Sequence, residues 1–215
     1  MSAASSAIPF VMSAPSGTGK TTVVHAMLKR DSELRFSVSH TTRQRREGEQ
    51  DGVDYHFVSK REFRELREKD VFVEHAEYGD RLYGTSWAAL QEPLQAGHDV
   101  LLEIEVQGAR QLRVRLAEAC FIFLLPPDMA VREQRLRERN TDSDDAIEGR
   151  LAMADNELAA AEIFDYAVVN DDLGETIDAV LEIVRAERTG DTGAVRKRYD
   201  RVAVLERWYE RNARC

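Results

Sequence analysis

Short apolar runs alternate along the chain with segments whose apolar residues recur at helical spacing. Ile8–Met12, Leu34–Val38, Val100–Ile104, Phe121–Leu125 and Tyr166–Val169 are predicted strands. Between them Val23–Arg30, Ser86–Ala96, Gln107–Leu116, Met129–Arg139, Ile147–Ala161 and Glu175–Glu187 are predicted helices. Such alternation argues an α/β fold with a parallel sheet flanked by helices on both faces. Ligands of that architecture collect at the carboxyl ends of the strands. Pro93 is expected to kink its helix or delay its start.

Three stretches break the alternation. From Ser39 to Thr85 a polar loop rich in arginine and glycine precedes short extended pieces, Asp54–Val58 and Val71–Glu77, with a helix at Lys60–Glu68 between them. Ser59 followed by Glu62 is a capping-box start for that helix. This segment reads as a small α+β insertion over the carboxyl edge of the sheet. From Arg137 to Arg150 a polar stretch has no apolar periodicity and carries arginines at both ends, the pattern of a mobile flap. Beyond Thr189, Val195, Tyr199, Val202, Leu205 and Tyr209 recur at helical spacing among arginines. The expectation there is a helical extension that packs on the core or on a second subunit, with a contribution to self-association.

Composition narrows the setting. A chain of 215 residues can bury one proper core. Its net charge of −9 does not suggest a nucleic-acid partner. Cys120 and Cys215 have no metal spacing, and the first residues lack the basic and apolar regions of a signal peptide. No apolar stretch approaches the length of a membrane span. A cytoplasmic protein is expected.

The chemistry begins between the first strand and the first helix, at Ala14-Pro15-Ser16-Gly17-Thr18-Gly19-Lys20-Thr21-Thr22. Backbone N–H groups and a helix N-terminus there form an anion trap. Lys20 would reach the β- and γ-phosphates and the Thr21 hydroxyl would ligate Mg²⁺. The strict phosphate-loop pattern begins with glycine, and here that position is Ala14. Phosphoryl transfer also needs cations, and the chain offers two groups. Arg135 and Arg139 share a helix face, with Arg150 across the polar stretch; the alternative is a salt-bridged surface with Glu133 and Glu138 as partners. Arg43 and Arg46 sit beside Thr41 and Thr42 in a loop read as lacking nearby acids, which suits an anion. The strand at Val100 ends in Glu103 and Glu105, placed as a Mg²⁺ or water ligand would be. Glu74, by pattern alone, reads as a solvated strand residue. The histidines have no zinc spacing and receive no catalytic role.

Together these motifs resemble the guanylate kinase family. The likeness runs from Ile8 to about Glu187 and rests on the phosphate loop, Ser37–Arg43, Tyr55-His56-Phe57-Val58, Phe72-Val73-Glu74-His75-Ala76, Leu82-Tyr83-Gly84-Thr85, Glu103–Gly108 and Val169-Asn170-Asp171-Asp172. The family tolerates alanine at the first loop position. The resemblance implies a P-loop nucleoside monophosphate kinase using ATP, GMP and Mg²⁺, of bacterial type. It implies a domain at 1–187, with core segments 1–38, 86–134 and 151–187, a GMP-binding insertion 39–85 and a lid 135–150, followed by the extension 188–215. Ser39, Arg43, Arg46, Tyr55, Glu74, Tyr83, Gly84 and Thr85 then fall on GMP. Of these, Arg43, Arg46, Tyr55 and Tyr83 meet its phosphate, while Ser39, Glu74 and Thr85 meet guanine. Lys20, Arg135, Arg139 and Arg150 surround the transferred group, and Asn170 lies near the adenine or ribose. The family usually carries Asp at one or both of the Glu103 and Glu105 positions, which leaves their contacts open between Mg²⁺, water and guanine. A silent interaction module and a kinase of ribosyl phosphates are the rival readings. The intact loop and lid arginines argue against the first, and Ser39, Glu74 and Thr85 against the second.

Overall fold

A computed structural model of the chain describes residues 7–138 and 154–213. The predicted apolar runs all enter one sheet: β1 (Pro9–Ser13), β2 (Leu34–Phe36), β7 (Asp99–Glu103), β8 (Cys120–Leu125) and β9 (Tyr166–Val169). Their order is β2-β7-β1-β8-β9, and every pairing is parallel. Because side chains alternate across a strand, the runs of β1, β7, β8 and β9 each feed two cores, while β2 turns Leu34 and Phe36 to one core and Arg35 to solvent. Phe10, Met12, Ile122 and Leu124 face a core shared with Val24, Met27, Val180 and Val184. Val11, Leu102, Phe121 and Phe123 face the other, with Leu90, Leu112 and Phe164.

The helices lie close to expectation. They are α1 (Lys20–Arg30), α3 (Trp87–Gln95), α4 (Val106–Arg115), α5 (Met129–Glu138), α6 (Ala154–Ala159) with a 3₁₀ turn Ala160–Ile163, and α7 (Leu173–Thr189). Asp172 caps α7 by accepting from the Glu175 N–H, and Gly190 ends it in the left-handed conformation. Pro93 does not delay α3, which starts at Trp87 under the Ser86 cap. Of the helix predicted over 147–161, residues 147–153 lie outside the described residues, as does most of the predicted flap.

The insertion builds its own sheet, of order β4-β3-β6-β5. It comprises β3 (His40–Thr41), β4 (His56–Phe57), β5 (Phe72–Tyr78) and β6 (Arg81–Ser86), with α2 (Lys60–Glu68) packing Phe63 against Phe72. The Ser59 hydroxyl caps α2 through the Glu62 N–H, as the sequence predicts. Neither β3 nor β6 is visible in the apolar pattern, because His40, Tyr83 and Gly84 alternate without clear apolar faces.

The tail corrects its sequence reading. It is two helices, α8 (Gly193–Tyr199) and α9 (Arg201–Asn212), split at Asp200, which caps α9 through the Ala203 N–H. The break resets the phase. Val204 and Trp208 are buried, whereas Val202 is 49% and Tyr209 50% exposed. The Trp208 indole donates to the Pro126 carbonyl at 2.6 Å, so the tail packs on its own core. Among the described residues, no helix is long and apolar enough to cross a membrane.

Candidate active site

β1 delivers the chain into the phosphate loop at the carboxyl edge of the sheet. Gly17 (φ 90°) and Gly19 (φ 96°) take left-handed backbone that a side chain would strain. The space is closed as well: a Cβ at Gly17 would stand 2.7 Å from Leu136, and one at Gly19 2.9 Å from the Asn170 amide. The loop is held by side chains from distant elements. The Asn170 amide donates to the Thr18 carbonyl at 2.7 Å, and Arg135 donates to the same oxygen at 3.1 Å. Arg132, fully buried, donates to the Ser16 carbonyl at 2.8 Å, while Glu157 accepts the Ser16 N–H at 3.3 Å. Burial, first, and the nearby Glu105 push the Glu157 carboxyl up to about 7.

The Lys20 ammonium donates to the Ile104 carbonyl at 2.8 Å and stands 3.8 Å from Glu105. The Thr21 hydroxyl donates to Glu103 at 2.5 Å. A hydroxyl and a carboxylate converging beside a phosphate loop form a hard-oxygen pair that fits Mg²⁺, which typically takes one or two protein oxygens plus phosphates and water. Of the two acids at this strand end, Glu103 meets Thr21 and Glu105 faces Lys20.

Ala14 through Thr22, Arg43, Arg46, Tyr55, Tyr83, Glu103, Glu105, Arg135 and Asn170 line one cleft of about 610 Å³. Arg135 therefore belongs to the loop rather than to a salt-bridged surface, and Glu133 pairs with Arg137 instead. Arg139 and Arg150 lie outside the described residues. Asn170 lines the cleft, but its amide N–H is committed to the loop carbonyl.

Arg43 requires a correction. Its loop does contain an acid partner: Arg43 donates to both oxygens of Glu49, at 2.7 and 3.0 Å. Glu49 also accepts the Arg46 N–H at 2.8 Å, so one carboxylate shapes the whole turn. Glu49 lies in the same loop, six residues past Arg43 and three past Arg46, so the acid is in plain view of the sequence, and reading the loop as lacking acids passes over it. The Arg43 guanidinium also lies over the Tyr55 ring, 5.4 Å from its centroid.

Ser39, Gly84, Thr85 and Glu74 do not line the open cleft. They are buried beside it, where Ser39 and Thr85 hydroxyls meet at 2.9 Å and Thr85 donates to Glu74 at 2.6 Å. A register shift between Phe72 and Glu74 sets Glu74 directly opposite Thr85 across β5 and β6. Far from a solvated strand residue, Glu74 is 2% exposed. Burial pushes its carboxyl up to about 7, against the lowering effect of the Thr85 hydrogen bonds.

A phosphate loop facing an arginine-bearing sheet across one cleft defines a P-loop kinase that handles two phosphorylated ligands. The family model for guanylate kinase matches residues 6–187. A guanylate kinase from Neisseria gonorrhoeae is 50% identical over 179 residues, covering 83% of this chain and 87% of that protein. One from Pseudoalteromonas translucida is 46% identical, with the same coverage of 83% and 87%. The crystal structure of guanylate kinase from Anaplasma phagocytophilum superposes with a TM-score of 0.73 at 34% identity, covering 86% of this chain and 87% of that one. The chain belongs to the guanylate kinase family.

Sequence reasoning missed Arg132, Glu157 and Glu49. Arg132 and Glu157 sit in no recognisable spacing, since each acts on the Ser16 backbone that only the fold brings near, whereas Glu49 is local to Arg43 and Arg46 and could have been found there.

Proposed function

We infer that the chain transfers the γ-phosphoryl group of ATP to GMP, giving ADP and GDP. The observation that carries the guanine half is the buried Ser39–Thr85–Glu74 chain. Guanine presents N1–H and a 2-amino group side by side, and one carboxylate can accept both. On GMP binding the Thr85 hydroxyl turns from Glu74 to guanine O6, freeing both Glu74 oxygens. Adenine offers no such donor pair, so it would leave Glu74 buried and unsatisfied.

An oxygen of the GMP phosphate attacks the γ-phosphorus, a new P–O bond forms, and the bond to the bridging oxygen breaks with its electron pair going to ADP. Arg43, Arg46, Tyr55 and Tyr83 hold the accepting phosphate in line. Gly84, between Tyr83 and Thr85, turns its bare face to Phe63 and Phe72, where a Cβ would stand 3.0 to 3.1 Å from their rings, and so lets the strand that carries Tyr83 and Thr85 seat on the insertion's core. Lys20 and Arg135 stabilise charge on the transferred group, joined by Arg139 and Arg150 from the lid. Thr21 and Glu103 would hold Mg²⁺, which neutralises charge on the β- and γ-oxygens when bound. The loop residues Ala14 to Thr22 cradle the ATP phosphates, and Asn170 keeps that loop in shape beside the adenosine.

The test is an ADP-release assay with ATP and Mg²⁺ across GMP, AMP, UMP and CMP, run on the parent and on Glu74→Gln. Glutamine keeps the shape but turns an NH₂ toward a guanine donor. The kcat/KM for GMP should fall by roughly 10²- to 10⁴-fold, with the KM for ATP unchanged. A parent that prefers AMP, or a Glu74→Gln variant as active as the parent, overturns the guanine assignment.

A further inference from the structure

α4 runs along β5, which is the edge strand of the insertion's sheet, and covers its open side with side chains. Gln107 accepts the Glu77 N–H at 3.1 Å. Gln111 accepts the His75 N–H at 3.2 Å and donates to the His75 carbonyl at 2.6 Å. Arg115 donates to the Val73 carbonyl at 2.8 Å. The match is metric: four helical residues rise about 6 Å, and two strand residues about 6.6 Å. Helix positions four apart can thus serve strand positions two apart, as a neighbouring strand would.

This register brings the helix backbone at Gly108 onto Glu74. A Cβ at 108 would stand 2.0 Å from Glu74 Oε2 and 2.8 Å from its Cδ, and the three nearest heavy atoms all belong to Glu74. Backbone conformation does not call for this glycine, because Gly108 lies inside α4 without a positive φ. Local stability does not call for it either, since glycine is a poorer helix former than alanine, by up to about 1 kcal/mol at interior positions and less in a first turn such as this. The atoms a methyl would meet are the far end of a side chain, so the backbone need not move. What must move is the carboxylate.

We propose that Gly108 is a specificity-determining position of the guanine site, its missing side chain being the seat that aligns the Glu74 carboxylate with Thr85. This rests on Glu74 reading guanine. A side chain at 108 swings Glu74 off the line of the guanine donors while leaving the fold and the ATP half intact. Function and stability then respond in opposite directions.

Gly108→Ala tests it, with KM for GMP, KM for ATP and thermal midpoint measured on the full chain. The GMP KM should rise on the order of 10²-fold, as for a displaced buried hydrogen-bonding group. ATP KM should stay at the parent value, and the thermal midpoint should hold or rise. In a Glu74→Asp background the carboxyl carbon falls back to the place of the Glu74 Cγ, 3.5 Å from the added methyl, which relieves the 2.0 Å clash, so adding Gly108→Ala should change GMP kcat/KM by no more than about threefold. Parent-like GMP kinetics in Gly108→Ala, while Glu74→Gln is impaired, overturns the seat and spares the guanine reading. Unimpaired Glu74→Gln removes that reading itself. A lowered midpoint with both KM values raised makes Gly108 a packing position. An undiminished Gly108→Ala effect in the Glu74→Asp background excludes the steric link.

Discussion

On the phosphate-loop side of the cleft, Lys20 and Arg135 rest on carbonyl oxygens, of Ile104 at 2.8 Å and Thr18 at 3.1 Å. On the side of the insertion, Arg43 rests on a carboxylate, that of Glu49 at 2.7 Å. A carbonyl orients a cation without cancelling its charge, whereas a carboxylate does both. The first arrangement keeps positive charge available where negative charge shifts during transfer. The second fixes a guanidinium fork in place, which suits a phosphate that has to be aimed. Glu105, at 3.8 Å from Lys20, tempers the contrast without reversing it.

The largest expected effect tests the available charge. Lys20→Met should lower kcat by about 10²- to 10⁴-fold while changing the KM for GMP little, because the ammonium acts on the group in flight. Rapid-quench turnover with saturating ATP and GMP measures it. Near-parent kcat would mean that the cation on Ile104 is structural, and the two halves would then be alike.

The two halves also differ in how far they could be read from sequence. The phosphate loop is local: strand, Gly17, Gly19, Lys20 and helix are contiguous, and each performs its task with backbone or with its own side chain. Its neighbours are not local, and Arg132 and Glu157 gripping Ser16 left no trace in any spacing. The sheet was legible because all its strands but β2 are apolar on both faces. The grouping of Ser39, Glu74 and Thr85 was legible only through family resemblance. They come from three separate segments, and only the fold buries an unremarkable strand glutamate beside two hydroxyls. The tail shows the limit of periodicity, because a single aspartate at 200 resets the phase and exchanges Tyr209 for Trp208.

Both halves bury a carboxyl, and pH separates their contributions. Glu74 and Glu157 are each pushed from the ordinary 4.5 up to about 7, chiefly by burial. Between those values the folded chain holds protons that the unfolded chain has released. Stability is therefore fullest below about pH 4.5 as far as these groups are concerned, and falls as pH rises through 7. Each group contributes on the order of 1–3 kcal/mol to that fall. Denaturant unfolding from pH 5 to 8, on the parent, Glu74→Gln and Glu157→Gln, should show each neutral variant flattening the profile by its own share. A variant with the parent's slope would mean that its carboxyl ionises without penalty, and only the other half would be holding a proton.

The smallest expected effect concerns Glu49, and it decides what its ion pair with Arg43 is for. Two outcomes are physically open, because a carboxylate beside a phosphate-binding arginine can either hold the fork or compete for it. The geometry favours holding. Glu49 accepts from both Arg43 terminal nitrogens and from the Arg46 N–H, so a single side chain fixes the turn and the fork together. Stacking of Arg43 over Tyr55 leaves the guanidinium little freedom to trade partners. Glu49→Gln keeps the volume but sets an NH₂ against one of these donors, so the turn loosens and the incoming phosphate must order it. The KM for GMP should rise about threefold to tenfold, the worth of roughly one hydrogen bond, with kcat and the KM for ATP unchanged. Steady-state kinetics with GMP varied at saturating ATP reads this directly. A fall in the GMP KM would show that Glu49 competes with the phosphate, and the fork would then be screened rather than positioned.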